Sequence, residues 1–508
     1  MVAEDILPAV THIINLSLGQ SLFPSIWKQA KVVPLLKKGD PLNPKNYRPV
    51  ALLPILSKVL EKVVFLQLVN YLESNKLIHP NHHGSRQGHS TATALLQMYD
   101  QWAEAVEENN MVGVMMVDLS AAFDMVDHPL LLQKLELYGL EAGVLSWIQS
   151  YLTNRTQSVF VDGCLSPKLN LECGVPQGSI LGPLFYILFT NDIPDLVHSH
   201  PINYKQPQLC CDTCGGTVCY VDDATYSVGH SDPAILSTTL TQQYSKIADY
   251  MAANKLVINA DKTHLVVMAT KKFAQCREEV QLQAGQHTIS PSSSEKLLGC
   301  MISEDLKWKV HISGSDQSMI KQLTSRINAL CMISTRATFT TRLMVANGIV
   351  MSKLCYLIQL WGGCEGYLLH ALQVVQNRAA RAVTGCSWFT PTRRLLENCK
   401  WLSVKQLIMF QSLTMTHKII LSSSPYYLKE KFATVHTHKT RQATTGSIRL
   451  GVGTTIPLST QHSFSYNSFT YRTTRDYNDL PAHIRTAKTI DLFKSKLKAW
   501  IKTNVSIE

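Results

Sequence analysis

Three carboxylates in two places carry the chemistry this sequence has to offer. Asp222 and Asp223 stand side by side in TVCYVDDATYSV, between a β-prone run that ends at Tyr220 and another from Thr225 to Val228. That pattern predicts a tight hairpin with the acidic pair at its tip. A lone Asp pair is ordinary turn chemistry, so the reading needs a second observation. Asp118 supplies it, because it ends the continuous apolar run Met111 to Val117, the pattern of a strand covered on both faces. A carboxylate at the end of such a strand requires a partner, since an isolated buried charge is expensive. Three clustered carboxylates repel one another; at ~4 Å and an effective dielectric of ~20 each pair costs about 4 kcal/mol. Two divalent cations remove that penalty, and oxygen-only ligands point to magnesium.

The elements that would hold these groups can be read around them. Shortly after Trp27, AKVVPLLKKGDPLNPKNYRPVALLP predicts a strand, a Lys-Lys-Gly-Asp turn and a second strand. Ser57 to Asn75 carries Leu60, Val63, Val64, Leu68, Tyr71 and Leu72 at helical spacing. Ser90 or Thr91 then caps a helix with Leu95, Met98, Trp102 and Val106 on one face. Asp124 and Asp127 turn or cap the chain entering a helix from Pro129 to Leu140. Ser158 to Val161 with Asp162-Gly163 reads as a strand and a turn. Ser179 to Thr190 is apolar on nearly every side and so predicts a buried helix. Pro233 to Asn254 is expected to be helical, followed by strands at Lys255 to Asn259 and His264 to Ala269, with Gly299 permitting a tight turn further on. From Trp308 the pattern turns helical, over Ile320 to Ile333, Arg342 to Leu360, Tyr367 to Thr384 and Val404 to Ile420.

VDLSAAFDMVDH from Val117, GVPQGSILGPL from Gly174 and YVDD from Tyr220, in that order, resemble motifs A, B and C of a reverse transcriptase. NYRPVALLPILSKVLEKVV, HGSRQGHST, NKLVINADKTHLVVM and KLLGCMIS narrow the resemblance to the polymerase of a non-LTR, LINE-type (jockey- or CR1-like) retrotransposon. The resemblance implies an α+β, right-hand polymerase, with fingers and palm built on an antiparallel palm sheet, then a mostly helical thumb and C-terminal region. Its expected divisions are fingers at 23–110, palm at 111–305 with a Cys-containing insert at about 195–219, thumb at 306–400 and a basic region at 401–508. Residues 1–22 are then expected to be the trimmed end of something longer, since full-length elements of this family carry an endonuclease ahead of the polymerase and nothing here resembles one.

The resemblance also implies roles. Asp118, Asp222 and Asp223 would be catalytic and would hold two Mg2+ ions, with Mn2+ as a substitute. Phe123 would be the steric gate that excludes a ribose 2′-hydroxyl. Arg48 would contact the incoming triphosphate, a task suited to a planar fork of donors, with Lys37 and Lys38 beside it. Gln177 and Gly178 would lie beside the template base and nucleotide, Lys262 would be a general acid to pyrophosphate, and Arg86 would contact nucleotide or template. The family typically has an aromatic residue where Ser85 stands. Arg378 and Arg381, on adjacent turns of one helix face, would track a primer–template duplex. The implied activity is RNA-directed DNA polymerisation by two-metal nucleotidyl transfer, with an RNA template, a DNA primer and dNTPs as partners. Two other readings stay open. A viral-type RNA-dependent RNA polymerase shares the layout but normally has a polar residue where Phe123 stands. A domesticated or inactive retroelement fragment would only bind nucleic acid.

Composition sets the outer bounds. The 508 residues suffice for two to four units with sizeable cores. No apolar run approaches a membrane span and the N-terminus lacks a signal layout, so the expectation is an intracellular protein of the nucleus and/or cytoplasm, neither membrane-bound nor secreted. Thirteen scattered cysteines imply reduced thiols. Cys210, Cys211, Cys214 and Cys219 cluster, but no His lies among them, and the sequence favours free thiols over a structural zinc. Residues 371–508 hold 20 Lys+Arg against 6 Asp+Glu, a net +14, while the rest of the chain is −3, together giving +11. A basic region appended to a near-neutral one suits a polyanion.

Overall fold

The computed structural model describes residues 2–37, 39–196, 216–334, 336–422, 424–432 and 467–507. The chain opens with helix α1 (Val2–Gly19), where the sequence suggested only a trimmed end. Its last turn is tied down by Trp147, whose Nε1 donates to Ser17 Oγ at 3.0 Å. Strands β1 (Gln29–Leu36) and β2 (Tyr47–Leu52) follow as an antiparallel pair, Pro34 opposite Pro49. Helix α2 (Ile55–Ser74) buries Leu60, Val64, Leu68 and Leu72, as its spacing requires. Helix α3 (Thr91–Glu107) starts at a reciprocal cap: Ser90 Oγ accepts the Thr93 N–H at 3.2 Å, and the Ser90 N–H reaches Thr93 Oγ1 at 2.8 Å.

Strand β3 (Met111–Val117) is buried at every residue. Its side chains alternate between two cores. Val112, Val114 and Met116 pack with Leu95, Met98 and Trp102 of α3. Met111, Met115 and Val117 pack with the elements on the opposite face. Each such side chain stabilises the sheet by roughly 1.5–3 kcal/mol. The chain then forms α4 (His128–Leu137), capped by Asp127 accepting the Leu130 N–H at 3.0 Å, and α5 (Ala142–Leu152). Strand β4 (Arg155–Val161) runs parallel to β1 and turns through Asp162 (φ +49°) and Gly163 (φ +84°) into β5 (Cys164–Leu165), while β6 (Leu169–Leu171) also pairs with β4. These strands make one mixed sheet in the order β2-β1-β4-β5.

Helix α6 (Gly182–Phe189) is buried on all sides, as its composition predicts. Strands β7 (Gly216–Tyr220) and β8 (Asp223–His230) form the expected hairpin, α7 (Pro233–Ala253) covers the sheet, and β9 (His264–Met268) completes it. This second sheet is antiparallel throughout, in the order β7-β8-β3-β9. The first of the two strands expected after α7, Lys255 to Asn259, is reduced to one bridge between Ile258 and Leu119. The chain has just left α7 through a left-handed Lys255 (φ +58°) and enters a tight turn at Ala260, which leaves room for a single pair.

After β9 come hairpins β10 (Leu282–Ala284)–β11 (His287–Ile289) and β12 (Ser294–Leu297)–β13 (Cys300–Ser303), the latter turning through Leu298 and Gly299 at positive φ. Helix α8 (Met319–Ser334) is followed by α9 (Phe339–Ala346). The single helix expected over Arg342 to Leu360 is broken: a wide turn at Asn347–Met351 leads into α10 (Ser352–Cys355), and Leu357 at φ +57° precedes α11 (Ile358–Trp361). Tertiary contacts account for the break. Tyr356 turns its hydroxyl to Leu298 O at 2.8 Å, and the Trp361 indole donates to Tyr356 O at 3.0 Å. Helices α12 (Gly366–Thr384), α13 (Thr392–Cys399), α14 (Val404–Ser422) and α15 (Tyr426–Lys431) complete the expected helical region, with α16 (Phe469–Asn478), α17 (Ala482–Arg485) and α18 (Ile490–Asn504) at the end. Except for α13, whose Leu395 and Cys399 pack with Leu330, Ala380 and Val383 in a small separate core, their apolar faces join the same core as α3 and β3. No helix among the described residues is long and apolar enough to cross a membrane.

Candidate active site

The hairpin closes on Tyr220 paired with Asp223, so Val221 and Asp222 form a two-residue loop. Val221 sits at φ +60°, a conformation that costs a β-branched residue about 1–3 kcal/mol and that such loops usually give to glycine. The β3–β8 register ends with Val117 opposite Ala224. Continued by one residue, it sets Asp118 across from Asp223. The three carboxylates act on one another: partial burial together with Asp222 and Asp118 pushes Asp223 up to about 6. Asp222 is also raised, by burial first and then by Asp118, while Arg48 and Lys37 oppose the rise. Among the described residues no three acidic, His or Cys side chains are already drawn together as a metal-holding group. Asp118 instead turns one oxygen to Lys262 Nζ at 3.3 Å. The fit to a cation lies in the donor set: oxygen ligands with unrelieved mutual repulsion on adjacent strands.

The residues expected around the carboxylates fall into place unevenly. Arg48 on β2 and Lys37 just after β1 lie close enough to the hairpin tip to act on Asp222. Phe123 lays its ring against Tyr186 of α6, with centroids 5.1 Å apart. Tyr186 is buried beneath the hairpin, and burial with Asp222 and Asp223 raises its hydroxyl pKa. Gln177 donates from Nε2 to Asp124 Oδ2 at 2.8 Å. Gly178 has φ +122°, and a Cβ there would lie 2.6 Å from Ala51 O; the Ala51 N–H in turn donates to Gln177 O at 2.8 Å. The loop from Gly174 to Gly178 is thus stitched to β2 on one side. On the other, the Gly174 and Val175 N–H groups donate to Val126 O and Phe123 O, each at 2.8 Å.

One holder of this loop was not singled out in the sequence. Glu61, fully buried on α2, accepts the Ile180 N–H at 2.7 Å and the Ser57 hydroxyl at 2.9 Å. Its carboxylate faces the start of α6, where the helix dipole favours negative charge. A signal was present: Glu61 shares the buried face of α2 with Ser57, Val64 and Leu68, and a charge on an apolar stripe needs a specific partner.

Arg86, expected to contact nucleotide or template, is bonded within the protein. Its guanidinium grips Glu73 of α2 through two bonds of 2.7 and 2.9 Å and donates to His79 O and His82 O at 2.9 and 3.0 Å. The segment it fixes lies along the edge of β7. Cys219 N–H donates to Asn81 O and His83 N–H to Cys219 O, both at 2.9 Å. A Cβ at Gly84 would meet Val221 Cγ2 at 2.4 Å. Arg86 therefore braces the loop against which the strained hairpin tip rests. His83 is buried between Thr93 and Gln97, with ring nitrogens 3.2 and 2.8 Å from their side chains. Burial pushes both His82 and His83 down to about 3. Cys219 is a buried thiol that burial raises to about 12; Cys210, Cys211 and Cys214 lie outside the described residues. Arg378 donates to Asn328 Oδ1 of α8 at 2.8 Å, and Arg381 folds onto Trp388.

Three outcomes follow from this geometry. Gly178→Ala should displace the loop from β2, lowering any activity of the site at least ~10-fold and destabilising the fold by about 1–3 kcal/mol, checked by denaturant titration. Arg86→Ala should cost about 2–4 kcal/mol by leaving Glu73 and two carbonyls without their donor; unchanged stability with only a raised nucleotide KM would instead make Arg86 a ligand contact. The buried histidines set a pH dependence. Their folded pKa values lie below the unfolded value, so the unfolded chain takes up protons first as pH falls, and stability is lost from pH ~6.5 downward. The loss should reach roughly 2 kcal/mol per histidine at pH 5, and His83→Gln should flatten the fall in melting temperature between pH 7 and 5.

Comparison with known proteins agrees with this arrangement. The family described as reverse transcriptase (RNA-dependent DNA polymerase) matches residues 35–302. The chain is 24% identical over 397 residues to the probable RNA-directed DNA polymerase from transposon X-element of Drosophila melanogaster, covering 78% of this chain and 42% of that protein. It is 28% identical over 394 residues to the RNA-directed DNA polymerase from mobile element jockey of Drosophila funebris, covering 77% and 42%. The chain thus spans about two-fifths of the length of these relatives. A solved structure of apo telomerase from Candida tropicalis overlaps 83% of this chain and 72% of its own at 13% identity and a TM-score of 0.40, too loose to carry weight. With the family match running from β1 through β13, across both sheets and all three carboxylates, the chain belongs to the reverse transcriptase family, and its relatives are those of jockey-type non-LTR elements.

Proposed function

We propose that this chain is an RNA-directed DNA polymerase that extends a DNA primer on an RNA template. The observation that carries the reading is the juxtaposition of Asp118 with the Asp222–Asp223 hairpin, facing the basic pair Arg48 and Lys37. Enzymes of this family work with divalent metal ions. Asp118, Asp222 and Asp223 would hold two Mg2+ ions here, which when bound activate the primer hydroxyl and neutralise phosphate charge.

The protein's own groups do the positioning. Arg48, with its rigid fork, and Lys37 draw the triphosphate of a dNTP toward the carboxylates. Lys262, whose Nζ lies 3.3 Å from Asp118 Oδ2, would deliver a proton to departing pyrophosphate. Phe123, held by Tyr186 and by the Val175 N–H on its carbonyl, presents a fixed aromatic wall to the sugar. Gln177 and Gly178 carry the backbone of the loop close to the nascent base pair, and Gly178 keeps that approach free of a side chain. Catalysis of this kind is mostly positioning and charge stabilisation, which explains why so many buried polar bonds are spent on holding loops.

Primer extension on RNA with Mg2+ tests the reading. Wild-type protein should incorporate dNTPs, and Asp222→Asn should lose at least ~10³-fold in rate while binding duplex almost as before. Extension by Asp222→Asn at the wild-type rate would remove the assignment. Equal use of NTPs would favour an RNA-dependent RNA polymerase, and duplex binding without extension a chain that only binds nucleic acid.

A further inference from the structure

The sequence between α12 and α13 holds two aromatic residues that the fold leaves in solvent. Helix α12 stops at Gly385, which takes the left-handed conformation (φ +71°). The next residues close a turn in which the Thr390 N–H donates to Ser387 O at 3.2 Å, with Trp388 and Phe389 at its two corners. Such corners usually carry Gly, Asn, Asp or Pro, because those residues suit the backbone and water. Here Trp388 is 70% exposed and Phe389 91% exposed. Leaving two large rings in water gains nothing for folding.

Trp388 is nonetheless held in place. Arg381 donates from Nη2 to Trp388 O at 3.0 Å, and its guanidinium lies 4.7 Å from the ring centroid, a cation–π contact that orders the indole and leaves its other surfaces open. The neighbours are basic: Arg378 is exposed on α12, Arg394 is exposed on α13, and the surrounding C-terminal region carries the chain's positive excess. A preordered aromatic pair set among cations matches the requirements of an unpaired nucleic-acid strand, whose bases stack on rings while its phosphates meet Arg.

We propose that Trp388 and Phe389 form a stacking platform for unpaired bases of single-stranded RNA, with Arg378 and Arg394 meeting the adjacent phosphates. RNA is the occupant because, on the function proposed above, the template is the long strand that enters the enzyme unpaired, whereas the primer is paired where it is extended. The platform deepens that reading and rests on it for the choice of RNA over DNA.

The test is the affinity of full-length protein for an unstructured oligo(A) RNA of about 20 nucleotides, measured over a range of salt without metal or nucleotide. Trp388→Ala with Phe389→Ala should weaken binding at least ~10-fold with the salt slope unchanged, Trp388→Phe should restore most of it, and Arg378→Gln with Arg394→Gln should reduce the slope by about 1.4. Equal melting temperatures exclude misfolding as the cause, as expected for side chains already in solvent. Unchanged RNA affinity in the double alanine variant would overturn the platform, as would a loss confined to single-stranded DNA of the same length or a loss that Trp388→Phe fails to restore. Because binding is read without catalysis, failure of the platform is distinguishable from failure of primer extension by the wild-type protein.

Discussion

Strand β3 is the constraint on which the site depends. It is buried on both faces and paired on both edges, with β8 at 111–117 and β9 at 112–116. Sliding it by one residue against β8 would exchange the side chains of its two cores, sending Met115 to the face that Met116 now occupies. The slide would also put Val112 or Val114 where Gly113 now lies, and a Cβ there would meet Leu240 Cδ1 at 2.6 Å, so the register is held, and with it the position of Asp118 opposite the hairpin. The sheet thereby opposes a repulsion it cannot abolish. Hydrophobic burial over the whole strand outweighs the cost of bringing carboxylates together at its end.

A second layer of structure turns that placement into a usable geometry. The hairpin tip is strained at Val221, and such a tip persists only if its surroundings determine it. Arg86 does this indirectly, by locking the 79–84 segment between Glu73 and the edge of β7. Glu61 does the same for the loop at the start of α6. Both are ionic groups within the protein whose partners are mostly backbone amides and carbonyls. Buried charge is weak evidence of added stability; its effect here is to fix two loops whose backbones approach the carboxylates.

The C-terminal helices are bound into the same arrangement. Lys431 of α15 meets Glu104 of α3 at 2.6 Å, Thr470 of α16 donates to Asp100 at 3.0 Å, and Tyr427 donates to Thr93 O. These contacts grip the helix that packs beneath β3, and Ser424 donates to Gln87 O at 3.3 Å, beside the loop braced by Arg86. The basic end of the chain is therefore coupled by packing to the acidic centre, with Arg485 buried and exposed charge at Arg378 and Arg394 on either side of the α12–α13 turn.

Residue type and spacing alone set several features that depend on short-range pattern. The all-apolar run of β3, the YVDD hairpin, the caps at Ser90 and Asp127, the buried helix α6 and the turns at Asp162-Gly163 and Leu298-Gly299 are each set by residue type and spacing within a few positions. The motif order told which family these features belong to. Tertiary structure alone decided what distant groups do to one another. It broke the helix expected over 342–360, because the Tyr356 hydroxyl found its partner at Leu298, and it reduced 255–259 to a bridge. It paired Arg86 with Glu73 and placed Glu61 on a loop 119 residues away. Local propensities fix the backbone's shape over a turn or a strand, whereas a charged side chain settles on whichever partner the folded chain brings within about 3 Å, and no spacing along the sequence records that choice.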